Sequence, residues 1–456
     1  MKKIALFLVS DYTRSWVDSG ILDELSAQAD LVVYGQCNVI AKINERGLRI
    51  DTIEIPEIKS SRSTQRLQLV ALINRRSCST SFTFRLSRLV FGDLKLFPHK
   101  KIPKILAHSS YYNLRRLVKF TLSNPIELIS FFRPIGNLFE HLLRRKFTRI
   151  SYEKFQNLEL DESIELVLLP SAAIEDRIYE LIEFLKTTNA ASAICIENWD
   201  NLTSKSILIA IPDYVFVMGR YCKEHGVRIQ GLQESQIIVA GLPRFNPYRR
   251  VESRYNKLDQ IKKSKFRILY LGFSVPHNEK NLIGDLISLL DVSEMRDKYE
   301  FCFKPHPARQ MRFYESNTLP SGVQVIDNKS GATGFNAIPT IGPEHIQNLL
   351  DADIVIATPT SMAIESMLLG VPTIIDGTDD GVHRTTAMSS LKEYLHLRDL
   401  QKIEGILIGK SPAELLDFLL DEFLGQASQS GPDLEKLIES KRASYASHLT
   451  DLANRL

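Results

Sequence analysis

The sequence predicts an α/β protein built from two parallel-sheet domains, with a basic helical insertion in the first. Three observations carry this. The chain has 456 residues, too many for one ordinary hydrophobic core. Short apolar runs rich in β-branched residues alternate with amphipathic stretches along most of it, as strands covered on both faces by crossover helices do. Each run then ends in a loop of Gly, Pro, hydroxyl or charged residues, where a parallel strand hands over to a helix.

Taken in order, Lys3 to Val9 is a buried strand, Ser15 to Ala27 an amphipathic helix and Leu31 to Tyr34 a second strand. This is the start of a Rossmann-like sheet. The opening Met1-Lys-Lys has the look of a secretory leader, but its apolar core is only about six residues, Asp11 follows, and no small-residue cleavage site appears. A first strand is the better reading. Asp11 and Arg14 fall in the loop at the strand's carboxyl end, where ligands bind such sheets; an Asp there also serves as a turn former or helix cap.

Residues 60–150 differ from the rest. They hold 18 Lys and Arg against 3 Asp and Glu, a net of +15, so the remainder carries −12 of the total +3. They are also rich in Leu, Phe and Tyr. Arg115-Arg116-Leu-Val-Lys119-Phe and Leu142-Leu-Arg144-Arg145-Lys146-Phe147 read as basic amphipathic helices. Such a surface suits an anionic bilayer, cations on phosphates and apolar face among the headgroups. Nucleic acid is the competing partner for a basic aromatic segment, but no RNP1-type pattern appears and the apolar content is high, so none is expected. A third reading packs these helices on the first domain.

Further strands follow at Ile164 to Pro170, Ala193 to Ile196, Tyr214 to Met218 and Ile237 to Val239, with a helix from Glu175 to Thr187. The polar stretch 247–264 reads as a linker between a first domain, 1–246, and a second, 265–430, with a C-terminal helix in 431–456. In the second domain, strands are expected at Lys265 to Leu271, Phe301 to Phe303, Gly322 to Asp327, Asp353 to Ala357 and Pro372 to Ile375. Helices are expected at Glu279 to Leu290, Glu344 to Asp351, Glu414 to Leu424 and Asp433 to Arg455.

Composition sets outer limits. At 44% apolar and 24% charged the chain is that of a globular protein. Its five cysteines are scattered and odd in number, with no CxxC, which fits a reducing compartment and neither a disulfide framework nor a zinc site. No run approaches the roughly 20 apolar residues that span a bilayer.

The densest signal is Ala352-Asp-Ile-Val-Ile-Ala-Thr-Pro-Thr-Ser-Met-Ala-Ile-Glu-Ser-Met-Leu-Leu-Gly-Val-Pro-Thr-Ile-Ile375: strand, polar turn, helix, strand. Thr360 or Ser361 is the expected N-cap, Gly370 the helix stop, and Glu365 lies one turn in. Two more loops fall at strand ends of this domain, Gly272 to Asn278 and Lys304 to Arg309. Together they offer a glycine backbone, Ser274, Lys304, His306, Arg309, hydroxyls and a helix N-terminus, which suits a diphosphate or nucleotide phosphate. His306 sits stiffly between Pro305 and Pro307.

Lys304-Pro-His-Pro307, followed by Thr358-Pro-Thr-Ser-Met-Ala-Ile-Glu-Ser-Met-Leu-Leu-Gly-Val-Pro372, resembles the donor-binding half of GT-B fold glycosyltransferases. The resemblance is nearest to bacterial surface-polysaccharide (capsule and O-antigen) transferases and to CDP-glycerol glycerophosphotransferases. Glu197-Asn-Trp-Asp-Asn-Leu-Thr-Ser-Lys205 with Ala240-Gly-Leu-Pro-Arg-Phe245 is similar to the first-domain loops of such enzymes. The resemblance covers about 165–375 and leaves out 60–150. It implies two domains facing across a cleft and glycosyl transfer from a nucleotide-activated sugar, with that sugar as substrate, no bound cofactor and no catalytic metal.

On that resemblance, Gly272, Ser274, Lys304, His306, Arg309, Thr360, Ser361 and Glu365 bind the donor. Asp11, Asp200 and Glu197 are the candidates for the base that deprotonates the acceptor; turn capping and interdomain hydrogen bonding are their structural alternatives. The acceptor is a surface glycan or lipid-linked sugar, met at the cytoplasmic face of the membrane by Arg115, Arg116, Lys119, Arg144, Arg145 and Lys146. Asp379-Asp380 before Gly381 reads as a solvated turn. The rival activities are a UDP-N-acetylglucosamine 2-epimerase-like isomerisation and polyol-phosphate transfer from CDP-glycerol; the rival of another class is a non-catalytic scaffold that binds polysaccharide or membrane.

Overall fold

The computed structural model describes residues 1–9, 13–48, 50–59, 61–75, 132–171, 176–205, 207–249, 251, 265–273, 277–306, 319–326, 343–383, 386–425, 432–439 and 444–456. These fall into two units, residues 1–246 with 435–456, and residues 247–434. Each is organised on one parallel sheet.

In the first unit the strands are β1 (Lys3–Leu8), β2 (Asp30–Gly35), β3 (Asp51–Glu54), β4 (Ile164–Ser171), β5 (Ala191–Ile196), β6 (Tyr214–Val217) and β7 (Ile237–Val239). Their order is β3-β2-β1-β4-β5-β6-β7, all neighbours parallel. The order reverses between β1 and β4. Helices α1 (Thr13–Asp18), α2 (Ile21–Ser26), α3 (Cys37–Glu45), α4 (Arg62–Asn74), α5 (Arg133–Phe155), α6 (Asp176–Leu185) and α7 (Arg220–His225) alternate with them. The single helix expected over 15–27 is two. Gly20 takes a left-handed φ of 77° between them, a conformation that costs an L side chain energy and glycine none. The edge strand β3 escapes sequence reading because Asp51-Thr-Ile-Glu54 is largely exposed and has no apolar run.

In the second unit, β8 (Phe266–Leu271), α8 (Glu279–Leu290), β9 (Tyr299–Lys304), β10 (Val323–Val325), α9 (Pro343–Asp351), β11 (Ile354–Ala357), α10 (Ser361–Leu368), β12 (Thr373–Asp376), α11 (Ala387–Glu393), α12 (Leu395–Leu400), β13 (Leu407–Gly409) and α13 (Pro412–Phe423) follow in order. The sheet runs β10-β9-β8-β11-β12-β13, again parallel throughout. Its reversal lies between β8 and β11. Two Rossmann-like domains are what the sequence predicts, and they are present.

The chain then returns to the first unit. The terminal helix expected over 433–455 is a short 3-10 turn, Leu434–Lys436, and a separate α14 (Tyr445–Arg455) capped by the Ser444 hydroxyl, which accepts from Ser447 N at 3.1 Å. Tyr445, Ala446, Leu449, Leu452 and Ala453 of α14 join Trp16, Ile21, Leu22 and Leu25 in the core beneath β1 and β2. Between the two, Leu437 to Glu439 crosses the ends of β6 and β7, where Glu439 N donates to Met218 O at 2.9 Å. Only glycine admits that crossing: a Cβ at Gly219 would stand 2.1 Å from Leu437 O, and one at Gly241 2.5 Å from Glu439 O.

Candidate functional site

The carboxyl edge of the second sheet is level. Lys304 of β9 pairs with Leu271 of β8, and Leu271 pairs with Ala357 of β11. The next residue on each strand opens its loop. Gly272 N donates to Lys304 O at 2.9 Å, and Thr358 N donates to Leu271 O at 3.2 Å. Open α/β sheets bind ligands at such an edge, at the reversal of strand order. Gly272 stands at that point. A Cβ there would lie 3.0 Å from His306 N, 3.1 Å from Glu279 Oε1 and 3.2 Å from Pro305 Cα, so glycine lets the first two loops lie against each other. Glu279, buried in the first turn of α8, accepts from Phe273 N and pins the loop.

The helix over the third loop is as expected. Gly370, at φ 71°, ends α10 with the paired bonds of a Schellman stop, Gly370 N to Met367 O and Val371 N to Ser366 O. At the other end Thr360 is the N-cap by backbone geometry, yet its side chain makes no capping bond. Its Oγ1 is buried without a hydrogen-bond partner, a costly state for a hydroxyl beside the free N–H groups of a helix. Ser361 is half-buried beside it.

Four side chains form a chain of hydrogen bonds here. Lys304 Nζ lies 2.7 Å from His345 Nδ1, and His345 Nε2 lies 2.8 Å from Glu365 Oε2. Tyr248 Oη donates to the same Oε2 at 3.0 Å. Lys304 is 7% exposed and Glu365 5%. Burial pulls the Lys304 ammonium below its usual range, against the attraction of Glu365 and Glu344. His345 and Tyr248 had no motif to announce them; both reach the site through contacts far apart in sequence.

A second cluster stands one strand further along, at the end of β12. His277 is buried between Asp376, 3.6 Å from its Nε2, and Asp380, 3.7 Å from its Nδ1. Tyr270 Oη donates to Asp376 Oδ2 at 2.7 Å. Burial pushes His277 down, but the Asp376 hydrogen bond and the charges of Asp376, Glu279 and Asp380 outweigh it and raise its pKa; burial raises both aspartates, but His277 and Tyr270 bring Asp376 down, and the His383 ring with backbone N–H groups brings Asp380 down. The solvated turn expected at Asp379-Asp380 is corrected for Asp380. It accepts from the backbone N–H of Asn278, Val382 and His383 and from the His383 ring, and its side chain is 3% exposed. This lock ties the loop after β8 to the loop after β12.

Of the expected donor contacts, Gly272, Lys304, Thr360, Ser361 and Glu365 stand on this edge, and His306 is half-buried next to Pro305. Ser274 and Arg309 lie outside the described residues, as does Asp11 in the first unit. There, Glu197 is fully buried at the end of β5, with Oε2 taking Ser15 Oγ at 2.9 Å and Oε1 taking Trp16 Nε1 at 2.5 Å. Asp200 caps the following turn of π-helix, Asn201–Lys205, accepting from Ser204 Oγ at 3.1 Å.

The basic segment is described at its two ends. α4 is almost wholly buried and packs against α5, which packs in turn on α6. On α5, Arg144 turns inward: it pairs with Glu140 at 2.6 Å and donates to Ile209 O at 2.8 Å. Arg145 and Lys146 are exposed. Arg115, Arg116 and Lys119 lie outside the described residues. Among those residues no helix is long and apolar enough to cross a membrane.

No protein-family model matches the chain, and no curated protein sequence does. Among solved structures, UDP-GlcNAc 2-epimerase from Methanocaldococcus jannaschii is similar at 10% identity and a TM-score of 0.48, over 100% of both chains. MurG from Acinetobacter baumannii is similar at 10% and 0.47, again over 100% of both. A glycosyltransferase from Rickettsia africae is similar at 10% and 0.44, over 100% of this chain and 92% of that one. At that level of likeness, the activity of this chain rests on its own residues.

Proposed function

We propose that the chain is a glycosyltransferase of GT-B type that holds a nucleotide-activated sugar on the carboxyl edge of its second sheet. One observation carries the reading. A buried lysine ammonium and a helix N-terminus with an unbonded, buried cap hydroxyl stand at the reversal of strand order, and that set of donors is made for an oxyanion. Lys304, Thr360, Ser361, Gly272 and His306, with Ser274 and Arg309, take the phosphate; Glu365 takes a ribose or sugar hydroxyl. In transfer, the acceptor oxygen bonds to the anomeric carbon and the bond from that carbon to the phosphate oxygen breaks. The departing phosphate keeps the electron pair and is neutralised by these donors. The acceptor proton goes to a carboxylate of the first unit. Asp11, Asp200 and Glu197 are the candidates for that role, and both oxygens of Glu197 already accept from Ser15 and Trp16.

In this reading α5 faces a lipid surface, where the acceptor is met. Ile135, Leu138, Leu142, Arg145, Arg149 and Tyr152 follow one another at helical spacing along its exposed side, opposite the buried Gly136, Phe147, Ser151 and Phe155. Leu138 is 59% and Leu142 49% exposed. An apolar stripe running into a cationic one fits an anionic bilayer, and the acceptor is then a surface glycan or lipid-linked sugar.

A thermal-shift screen against UDP-, GDP-, CMP- and CDP-linked sugars tests the donor site: ligand at about 100 times its dissociation constant stabilises by roughly 2.7 kcal/mol. No shift with any of them sinks the reading. Turnover of the bound donor without acceptor would instead mark an isomerase. Flotation with anionic vesicles tests the surface, and no binding at low salt removes the membrane step.

A further inference from the structure

Three groups at this edge are joined in a way the donor-binding reading does not require. Lys304 can only donate, because an ammonium has three N–H bonds and no lone pair. Glu365 as a carboxylate can only accept. His345 lies between them at 2.7 Å and 2.8 Å, and its side chain is 13% exposed. The roles then fix the ring: Nδ1 accepts from the ammonium and Nε2 carries the proton donated to Glu365. A direct Lys304–Glu365 pair would draw the ammonium onto the carboxylate and away from any phosphate. The imidazole instead holds the two charges a ring's width apart and satisfies both.

We propose that His345 is a positioning residue that couples recognition of the phosphate by Lys304 to recognition of a hydroxyl by Glu365; this rests on the nucleotide-binding reading above. An ammonium with one N–H held by His345 has two left for phosphoryl oxygens. His345 and Tyr248 both donate to Oε2 of Glu365. The ligand class is therefore a ribonucleoside phosphate, gripped at both ends by groups whose separation one ring sets. Loss of the ring releases both grips together.

The test is calorimetric titration of the full chain with UDP, CDP and GDP and with their 2′,3′-dideoxy forms. The wild type prefers the ribo form. His345→Gln, which can still accept and donate, keeps affinity within about threefold and keeps the preference. His345→Phe keeps the volume and loses both bonds: it binds about ten- to a hundredfold more weakly, as expected when bonds to charged groups are lost, and no longer separates ribo from dideoxy. A folded His345→Phe protein with wild-type affinity and preference overturns the proposal. If that variant does not fold, 15N spectra of the imidazoles decide, with His345 assigned by its absence in His345→Gln. A ring protonated at Nε2 with Nδ1 accepting supports the bridge, and one protonated at Nδ1 refutes it. If the wild type binds no nucleotide, the donor-site reading falls by itself, and the same spectra still decide whether the bridge exists.

Discussion

Glu197 and Glu365 are both nearly buried carboxylates close to the carboxyl edge of a parallel sheet, one in each unit. Their partners differ. Glu197 receives two neutral donors, Ser15 and Trp16, from a single helix, and so ties α1 to β5. Glu365 receives a tyrosine and a histidine, and the histidine leads to a buried cation. The wider surroundings follow the same division. In the first unit the C-terminal segment lies across the ends of β6 and β7. In the second, a cap hydroxyl is left without a partner at the reversal of strand order. The same position in the same kind of sheet meets neutral donors of one helix in the first unit and leads through a histidine to a buried cation in the second.

The largest expected effect tests the first half of that contrast. Glu197→Ala leaves the Trp16 and Ser15 donors unsatisfied in the core and is expected to cost roughly 2–4 kcal/mol in urea unfolding. Glu365→Gln is expected to cost under about 1 kcal/mol in the same measurement, since Gln still accepts from Tyr248 or His345. Equal losses would erase the distinction. Next is Lys304→Met. Relief of the ammonium's burial is set against the donor that His345 Nδ1 loses, so stability changes by less than about 1 kcal/mol, while nucleotide affinity by calorimetry drops about a hundredfold. A lysine that served the fold would give the reverse.

A third test uses pH at the His277 lock. The raised His277 pKa means its contribution is whole below the unfolded value of 6.5 and fades as pH rises through the folded value. The lowered carboxylates Asp376 and Asp380 contribute above their unfolded value of 3.8 and lose it as pH falls through the folded one. Unfolding free energies of wild type and His277→Asn should therefore differ most between pH 4 and 6.5, by about 3 kcal/mol as for a broken buried pair, and converge in alkali. A gap that widens above pH 8 contradicts the charged histidine. A smaller effect than that of the His277 lock is expected of Gly272→Ala. The added methyl meets His306 N and Glu279 Oε1, and the expected cost is about 1 kcal/mol in melting, with weaker nucleotide binding as the two loops separate.

Much of the frame can be read directly from the chain because parallel strands buried on both faces must be unbroken apolar runs. Leu166 to Leu169 and Ile354 to Ala357 are such runs, and both lie in central strands. Edge strands are not: β3 has one strongly apolar residue, Ile53, and β13 only three residues, so neither leaves a pattern. The site divides the same way. Thr360, Glu365 and Gly370 are legible because cap, first turn and stop are local events within ten residues. His345 is not, because what makes it part of the site is a contact with Lys304 41 positions away. Nor is the buried role of Asp380, for the same reason, its partner Asn278 lying 102 positions upstream.

The return of α14 to the first core also sets the timetable of synthesis. Residues 1–246 leave the ribosome before the second unit, but the apolar face that Tyr445, Leu449 and Leu452 will cover stays open until that whole unit has been made. At about 5–20 residues per second that wait lasts on the order of tens of seconds. The second unit, though later in the chain, can close its core before the first, which is finished only once α14 has emerged.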